Sequence, residues 1–249
     1  MQSSQTDTLI FSVALNGYQW RYRRYLNSQR QYAKRMGYDY VVVTRPWLNR
    51  LGAECCWLKL FLLKAALQAG YQQVMFVDAD ACIQPACPAL DKLDDADKFL
   101  FLARGYSGAF NSGVMLMRNC PQSIEWLDTL IIAMTQPVPE SRGIGWGENG
   151  HVIHYAQDCE GVGELERRWN NTCEPHLDDY IRHFNYGPLK CSIVDKCFHT
   201  LIFKCSRLLL GHSLSRPDEQ ADKLAVVQLR IPAALSQIQT LYPGYFSSL

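Results

Sequence analysis

The chain has 249 residues, 48% of them apolar and 20% charged, enough for one large or two small domains with a full core; this excludes a disordered tail, a collagen-like chain and a coiled coil. Its 25 basic and 24 acidic residues nearly cancel, for a formal net charge of +1, which argues against a dedicated nucleic-acid binder, since such domains are strongly basic. No apolar run reaches the ~18 residues of a membrane span, and the N-terminal residues lack the basic and apolar regions of an export signal, so the expectation is a soluble, cytoplasmic protein.

Thr8 to Leu15 is an apolar, β-prone run closed by Asn16-Gly17, which predicts a first strand. Tyr18, Tyr22, Tyr25, Tyr32 and Met36 follow at helical spacing, predicting a helix with a tyrosine stripe toward the core and a stop at Gly37. The aromatic and basic run from Trp20 to Tyr25 would also suit a nucleic-acid patch, a reading the near-neutral charge disfavours. Tyr38 to Thr44 reads as a second strand stopped by Arg45-Pro46. Glu54 to Ala69 reads as a largely buried helix ended by Gly70, and Val74 to Val77 as a central strand running into Asp78-Ala79-Asp80. After a charged segment, Asp91 to Lys98, come strands at Phe99 to Ala103 and Val114 to Arg118. A helix over Ile124 to Met134 is opened by Pro121, a loop runs from Gln136 to Gly147, and a helix from Glu148 to Gln157 follows. The alternation predicts an α/β sheet with helices on its faces.

The C-terminal residues change character. Cys191 to Leu210 is apolar with Lys196, Lys204 and Arg207 interspersed, Ser213 to Lys223 is polar, and another helical pattern follows. The expected organisation is a main domain over residues 1–190 and a helical extension over 191–249 packed on it. The stretch 191–210 is either an ordinary buried helix or a peripheral contact with the inner face of a membrane. Ten cysteines in a chain of this size without an export signal fit a reducing compartment better than a disulfide framework. Cys191, Cys197, His199 and Cys205 lack the paired spacing of a zinc site. Asn170-Asn171-Thr172 matches a glycosylation acceptor, which requires a secretory route.

Asp78 and Asp80 carry the sharpest chemical signal. Two carboxylates two residues apart on an extended backbone lie on the same side, and at a sheet's carboxyl edge they repel one another unless a cation sits between them. Mg²⁺ and Mn²⁺ suit such a pair, because these hard ions take one or two carboxylates together with substrate phosphate oxygens. Ligands of open α/β sheets also bind outside the carboxyl ends of the strands. The plainer alternative is a turn in which Asp80 caps a helix.

The surrounding residues form a pattern. Trp57-Leu58-Lys59-Leu60 and Tyr71 put an aromatic-x-basic-Leu helix before the strand into Asp78-Ala79-Asp80-Ala81. Asn27 to Tyr40 carries Tyr32-Ala33 and Gly37-Tyr38, with Met36 preceding them where the pattern has His. Phe110-Asn111-Ser112-Gly113-Val114 and Arg118-Asn119 follow downstream. In this order, over most of residues 8–190, the chain resembles the retaining GT-A glycosyltransferases of families 8 and 34.

The resemblance implies a GT-A fold, a mixed and mainly parallel sheet flanked by helices. It implies metal-dependent transfer of a hexose or pentose from a nucleotide-sugar, a UDP-sugar first, to a hydroxyl of a glycan, glycolipid or protein, with the anomeric configuration kept. Mn²⁺ or Mg²⁺ would sit on Asp78, Asp80 and His183, with His212 as the rival third ligand. Lys59 would lie near the diphosphate and orient Asp78; as a plain alternative it is a helix-surface lysine. Ala14, Asn16 and Tyr18 would meet base and ribose, although Tyr18 also fits the tyrosine stripe. Ala79, Asn111 and Ser112 would touch the donor, and Gly113 would let the backbone approach it closely. Glu148 and Asn149 would lie near the reacting carbon, with Asn where the families have Gln; Glu148 could equally serve the helix dipole. Gly187 and Lys190 would close the diphosphate site in a segment, His183 to Lys190, one residue longer than the usual spacing. Two other functions fit the same aspartates: a haloacid-dehalogenase-like phosphatase with Asp78 as nucleophile, and a nucleotide-sugar-binding protein without turnover.

Overall fold

The strands alternate in a way that builds two apolar layers. In the computed structural model, which describes residues 6–47, 49, 51, 53–93, 95–139, 147–184, 189, 197, 201, 205, 208 and 229–247, six strands form one sheet. They are β1 (Thr8–Val13), β2 (Asp39–Val43), β3 (Gln73–Val77), β5 (Leu100–Arg104), β6 (Phe110–Arg118) and β7 (Val162–Leu165), in the order β2-β1-β3-β6-β5-β7. The β1–β2, β1–β3 and β5–β7 pairs are parallel, while β6 runs antiparallel to both β3 and β5. A separate antiparallel ribbon joins β4 (Ala81–Ile83) to β8 (Ile181–His183).

Leu9 and Phe11, Val74 and Phe76, Leu100 and Leu102, and Met115 and Met117 point to one face. They pack there against α3 (Leu58–Gln68), α4 (Pro121–Ala133), α5 (Glu148–Ala156) and α6 (Ile231–Leu241). Ile10, Met75, Val77, Phe101, Val114 and Leu116 point to the other, against α2 (Arg23–Met36) and the β4–β8 ribbon. Burial on both faces explains why these strands read as continuous apolar runs rather than as alternating ones.

The expected α/β sheet is present, with shifted ends and three strands the sequence reading omitted: β4, β7 and β8. The single helix expected over Tyr18 to Met36 is two, because α1 (Tyr18–Arg21) is set off from α2 at Tyr22. The tyrosine stripe is therefore only partly buried: Tyr22 and Tyr32 are in the core, whereas Tyr18 is 38% exposed. Gly37, at φ +74°, ends α2 as expected. β6 starts at Phe110, four residues earlier than the strand read at Val114, so Asn111, Ser112 and Gly113 lie in the sheet and not before it. Among the described residues no helix is long and apolar enough to cross a membrane.

Candidate functional site

The register fixes where the chemistry gathers. β1 and β3 run parallel and end at Val13 and Val77, and Val77 pairs with Val114 of the antiparallel β6. The carboxyl ends of the two central strands and the first residues of β6 thus share one sheet edge. Asp78 continues the ladder for one more bond, its N–H donating to the Gly113 carbonyl at 2.7 Å.

Asp78 to Asp80 is a tight turn and not the extended pair expected. The Ala81 N–H closes it on the Asp78 carbonyl at 3.0 Å, and the chain continues as β4, so Asp80 caps no helix. Gln29, fully buried on α2, holds the turn: its amide donates to the carbonyls of Asp78 (3.0 Å) and Ala81 (2.9 Å). Its Oε1 accepts from the Ser12 hydroxyl at 2.6 Å. Sequence reasoning passed over Gln29, although a Gln in place of an apolar residue on a buried helix face was a usable signal.

The β4–β8 ribbon pairs Ala81 with His183 and so brings the histidine to the aspartates. His183 Nε2 lies 3.2 Å from Asp80 Oδ1 and 3.6 Å from Asp78 Oδ2. One ligand atom from each of the three lies within 4.8 Å of the others. Burial pushes the Asp78 carboxyl up to about 6, helped by Asp80 and Glu148 and opposed by Lys59 and His183. Burial acts in the same sense on Asp80, but the adjacent His183 holds it below the ordinary carboxylate range. Burial works against a charged His183, yet Asp80 and Asp78 hold it above the ordinary imidazole value. Two oxygens and one nitrogen facing a common point suit Mn²⁺ or Mg²⁺ by chemistry and count.

Lys59, on α3, is 4% exposed and so is no surface lysine. Its Nζ lies 2.5 Å from Glu148 Oε1, donates to the Ser112 carbonyl at 3.1 Å, and stands 3.9 Å from Asp78 Oδ1. Burial disfavours its charge, but Asp78 and Glu148 hold it protonated. Glu148, also 4% exposed, accepts the Ser112 hydroxyl at 2.8 Å. Burial would raise its carboxyl, and Lys59 with the hydrogen bonds around it keeps it below its usual range. Glu148 is therefore half of a buried ion pair, whatever it adds at the first turn of α5. Asn149 Oδ1 accepts the Ser112 N–H at 2.9 Å and so ties α5 to the start of β6.

The residues expected to meet the base and ribose differ in exposure. Ala14 and Ala79 share a small buried cluster with Tyr22 and Leu26. Asn16, at φ +54°, gives its side chain to the neighbouring loop, accepting the Asn49 N–H at 2.8 Å. Tyr18 and Trp20 are 38% and 55% exposed. Gly113 is crowded by the histidine itself: a Cβ there would stand 2.1 Å from His183 Cε1. Asn170, read above as a glycosylation acceptor, is fully buried beside His183. Cys197 and Cys205 are exposed, and the nine described cysteines are free. Gly187, Lys190, His199, His212, Cys191 and most of the 191–228 stretch lie outside the described residues.

The sequence matches no protein-family model and no curated protein. The structure does match solved ones. A glycosyltransferase involved in the glycosylation of the major capsid of PBCV-1 aligns with a TM-score of 0.59 at 14% identity, over 78% of this chain and 98% of that one. The apo form of glycosyltransferase GlyE from Streptococcus pneumoniae TIGR4 aligns with a TM-score of 0.50 at 13% identity, over 92% of this chain and 64% of that one. The fold is that of these proteins, a GT-A-like mixed sheet flanked by helices.

Proposed function

We propose that the chain is a metal-dependent glycosyltransferase of the retaining kind, which moves a hexose or pentose from a nucleotide-sugar, a UDP-sugar first, to a hydroxyl of a glycan, glycolipid or protein. The observation that carries this reading is the convergence of Asp78, Asp80 and His183 at the carboxyl edge of such a sheet. These three residues would hold Mn²⁺ or Mg²⁺, and that ion would supply positive charge against the departing nucleoside diphosphate.

The chain's own residues do the rest. Ala14, Asn16 and Tyr18 meet base and ribose, with Tyr18 offering an exposed ring to the base. Ala79 lines the approach of the diphosphate. Lys59, kept cationic by two carboxylates, adds fixed positive charge beside Asp78 in a site where dipoles and charges need no rearrangement. Asn111 and Ser112 face the sugar. Asn111 Oδ1 already accepts the Gly113 N–H at 3.0 Å, so its Nδ2 is the group left for a sugar oxygen. Glu148 acts on the reacting carbon through Lys59 and Ser112, and Asn149 keeps Ser112 in register. In the transfer, the acceptor oxygen forms a bond to the anomeric carbon as the bond to the diphosphate oxygen breaks. The leaving diphosphate takes the electron pair, and the acceptor proton goes to that same leaving oxygen or to water.

The test is a panel of UDP-, GDP- and ADP-sugars with Mn²⁺ and a mixture of acceptors, read by released nucleoside diphosphate. Turnover with at least one donor, lost in Asp80→Ala, supports the reading; silence across the panel overturns it. The phosphatase alternative predicts instead phosphate release from simple monoesters that survives Asp80→Ala and is lost in Asp78→Ala.

A further inference from the structure

Asn170 lies in the 3₁₀ turn Arg167–Asn170 with no exposed surface, and its amide joins two groups of the site. Its Oδ1 lies 2.9 Å from His183 Nδ1. Its Nδ2 lies 2.8 Å from Asn111 Oδ1 and 3.3 Å from the Asn111 carbonyl. Amide orientations and imidazole tautomers are not visible as such and have to be settled by the network. Here the network has a fixed end. The Gly113 backbone N–H can only donate, and it donates to Asn111 Oδ1 at 3.0 Å. The Asn111 carbonyl can only accept. Both oxygens that Asn170 faces on Asn111 are thus acceptors, so Asn170 must turn its NH₂ to them and its oxygen to His183. An oxygen without a proton requires a donor opposite, and His183 Nδ1 must carry the hydrogen.

From this polarity we infer that Asn170 is a positioning residue, which keeps a hydrogen on His183 Nδ1 and aims Nε2 at Asp78 and Asp80, so that Nε2 is the third ligand of a divalent cation once its own hydrogen is released to solvent on binding. The inference rests on the metal reading of the site proposed above. It adds a residue that the DxD pattern does not contain, and it gives the buried N-x-T triplet a role in which the Asn170 Nδ2 has no room for a glycan. It also connects the sugar side to the metal side through one amide: Asn111 and His183 share Asn170. Histidine ligands are commonly held this way by a hydrogen bond to the far ring nitrogen, whose removal costs roughly 10–100-fold in metal affinity.

Two measurements on the full chain test it. In metal-free protein labelled with ¹⁵N-histidine, His183 should carry a hydrogen on Nδ1, and addition of diamagnetic Mg²⁺ should remove the hydrogen from Nε2 while Nδ1 keeps its own. Titration with Mn²⁺ alone should then give an affinity that falls roughly 10–100-fold in Asn170→Ala. Asn170→Asp should keep the affinity within about tenfold of wild type, because a carboxylate accepts the same Nδ1 proton, while its stability drops for want of the NH₂ toward Asn111. A purely structural role would instead move affinity and stability together in both variants. An Nδ1 without a hydrogen in the wild type, or unchanged Mn²⁺ binding in Asn170→Ala, overturns the inference. Should Asn170→Ala fail to fold, the wild-type tautomer and Asn170→Asp decide it. A wild type that shows Nδ1–H but takes up no Mn²⁺ overturns the metal reading, and leaves the ring orientation standing on the spectrum alone.

Discussion

Around Lys59, Ser112 and His183 the polar groups are buried and bonded to one another, whereas around Tyr18 and Trp20, just past β1, aromatic rings face solvent. The first region is an interlocked set of charges: Lys59 with Glu148, His183 with two aspartates, and Gln29 and Asn170 behind them. The second holds its loop with Asn16 and Asn49 and leaves its large side chains outside. Charge that must be stabilised as a bond breaks calls for groups fixed in advance. A flat base needs only a ring to lie on. If that contrast is right, substitutions in the two regions fail differently.

The largest effect belongs to the carboxylates. Asp80→Ala should lower turnover on the order of 10³-fold and abolish Mn²⁺ binding, measured by product release and by calorimetry, with the fold intact. Lys59→Met should show up first in stability. It strands Glu148 as a buried charge, at a cost of about 3–5 kcal/mol, read from the denaturant midpoint. The double variant Lys59→Met/Glu148→Gln should recover part of that loss, and a double variant worse than Lys59→Met would contradict the pairing. Gly113→Ala should weaken Mn²⁺ binding roughly 10–100-fold, since its Cβ would displace the His183 ring.

On the open side, Tyr18→Ala should weaken nucleoside diphosphate binding only about tenfold, with a stability change within about 0.5 kcal/mol. Acid sharpens the contrast most gently. The Glu148 carboxyl is held low in the fold, so its stabilising contribution is complete above its ordinary value of about 4.3 and is lost as pH falls through the lowered one. The melting temperature advantage of wild type over Glu148→Gln should therefore be constant at neutral pH and shrink in acid.

The pattern of apolar runs made the central sheet legible, because β1, β3 and β6 are each long enough to announce themselves. β4 and β8 have three residues each, too few for any period, and yet they carry His183 to Asp80. The aspartates were legible from local spacing, and a turn there was one of the two readings; that the turn leads into β4 and is held by Gln29 from a distant helix was not legible. Burial of Lys59 was hidden because α3 is apolar on nearly every side, which leaves no polar face to contrast with it. Asn170 was readable as a modification triplet and as part of the Trp169-Asn170 pair of the resemblance, not as a partner of His183. Its role depends on contacts 59 residues back, at Asn111, and 13 residues ahead, at His183.

The most direct measurement is a crystal grown with Mn²⁺ and UDP, with the manganese located by its anomalous scattering. One peak ringed by the carboxylates of Asp78 and Asp80 and by His183 Nε2, with the pyrophosphate oxygens against it, is the expected result. Manganese and nucleotide bound together at another place on the molecule, with these three side chains left facing one another, would contradict the account.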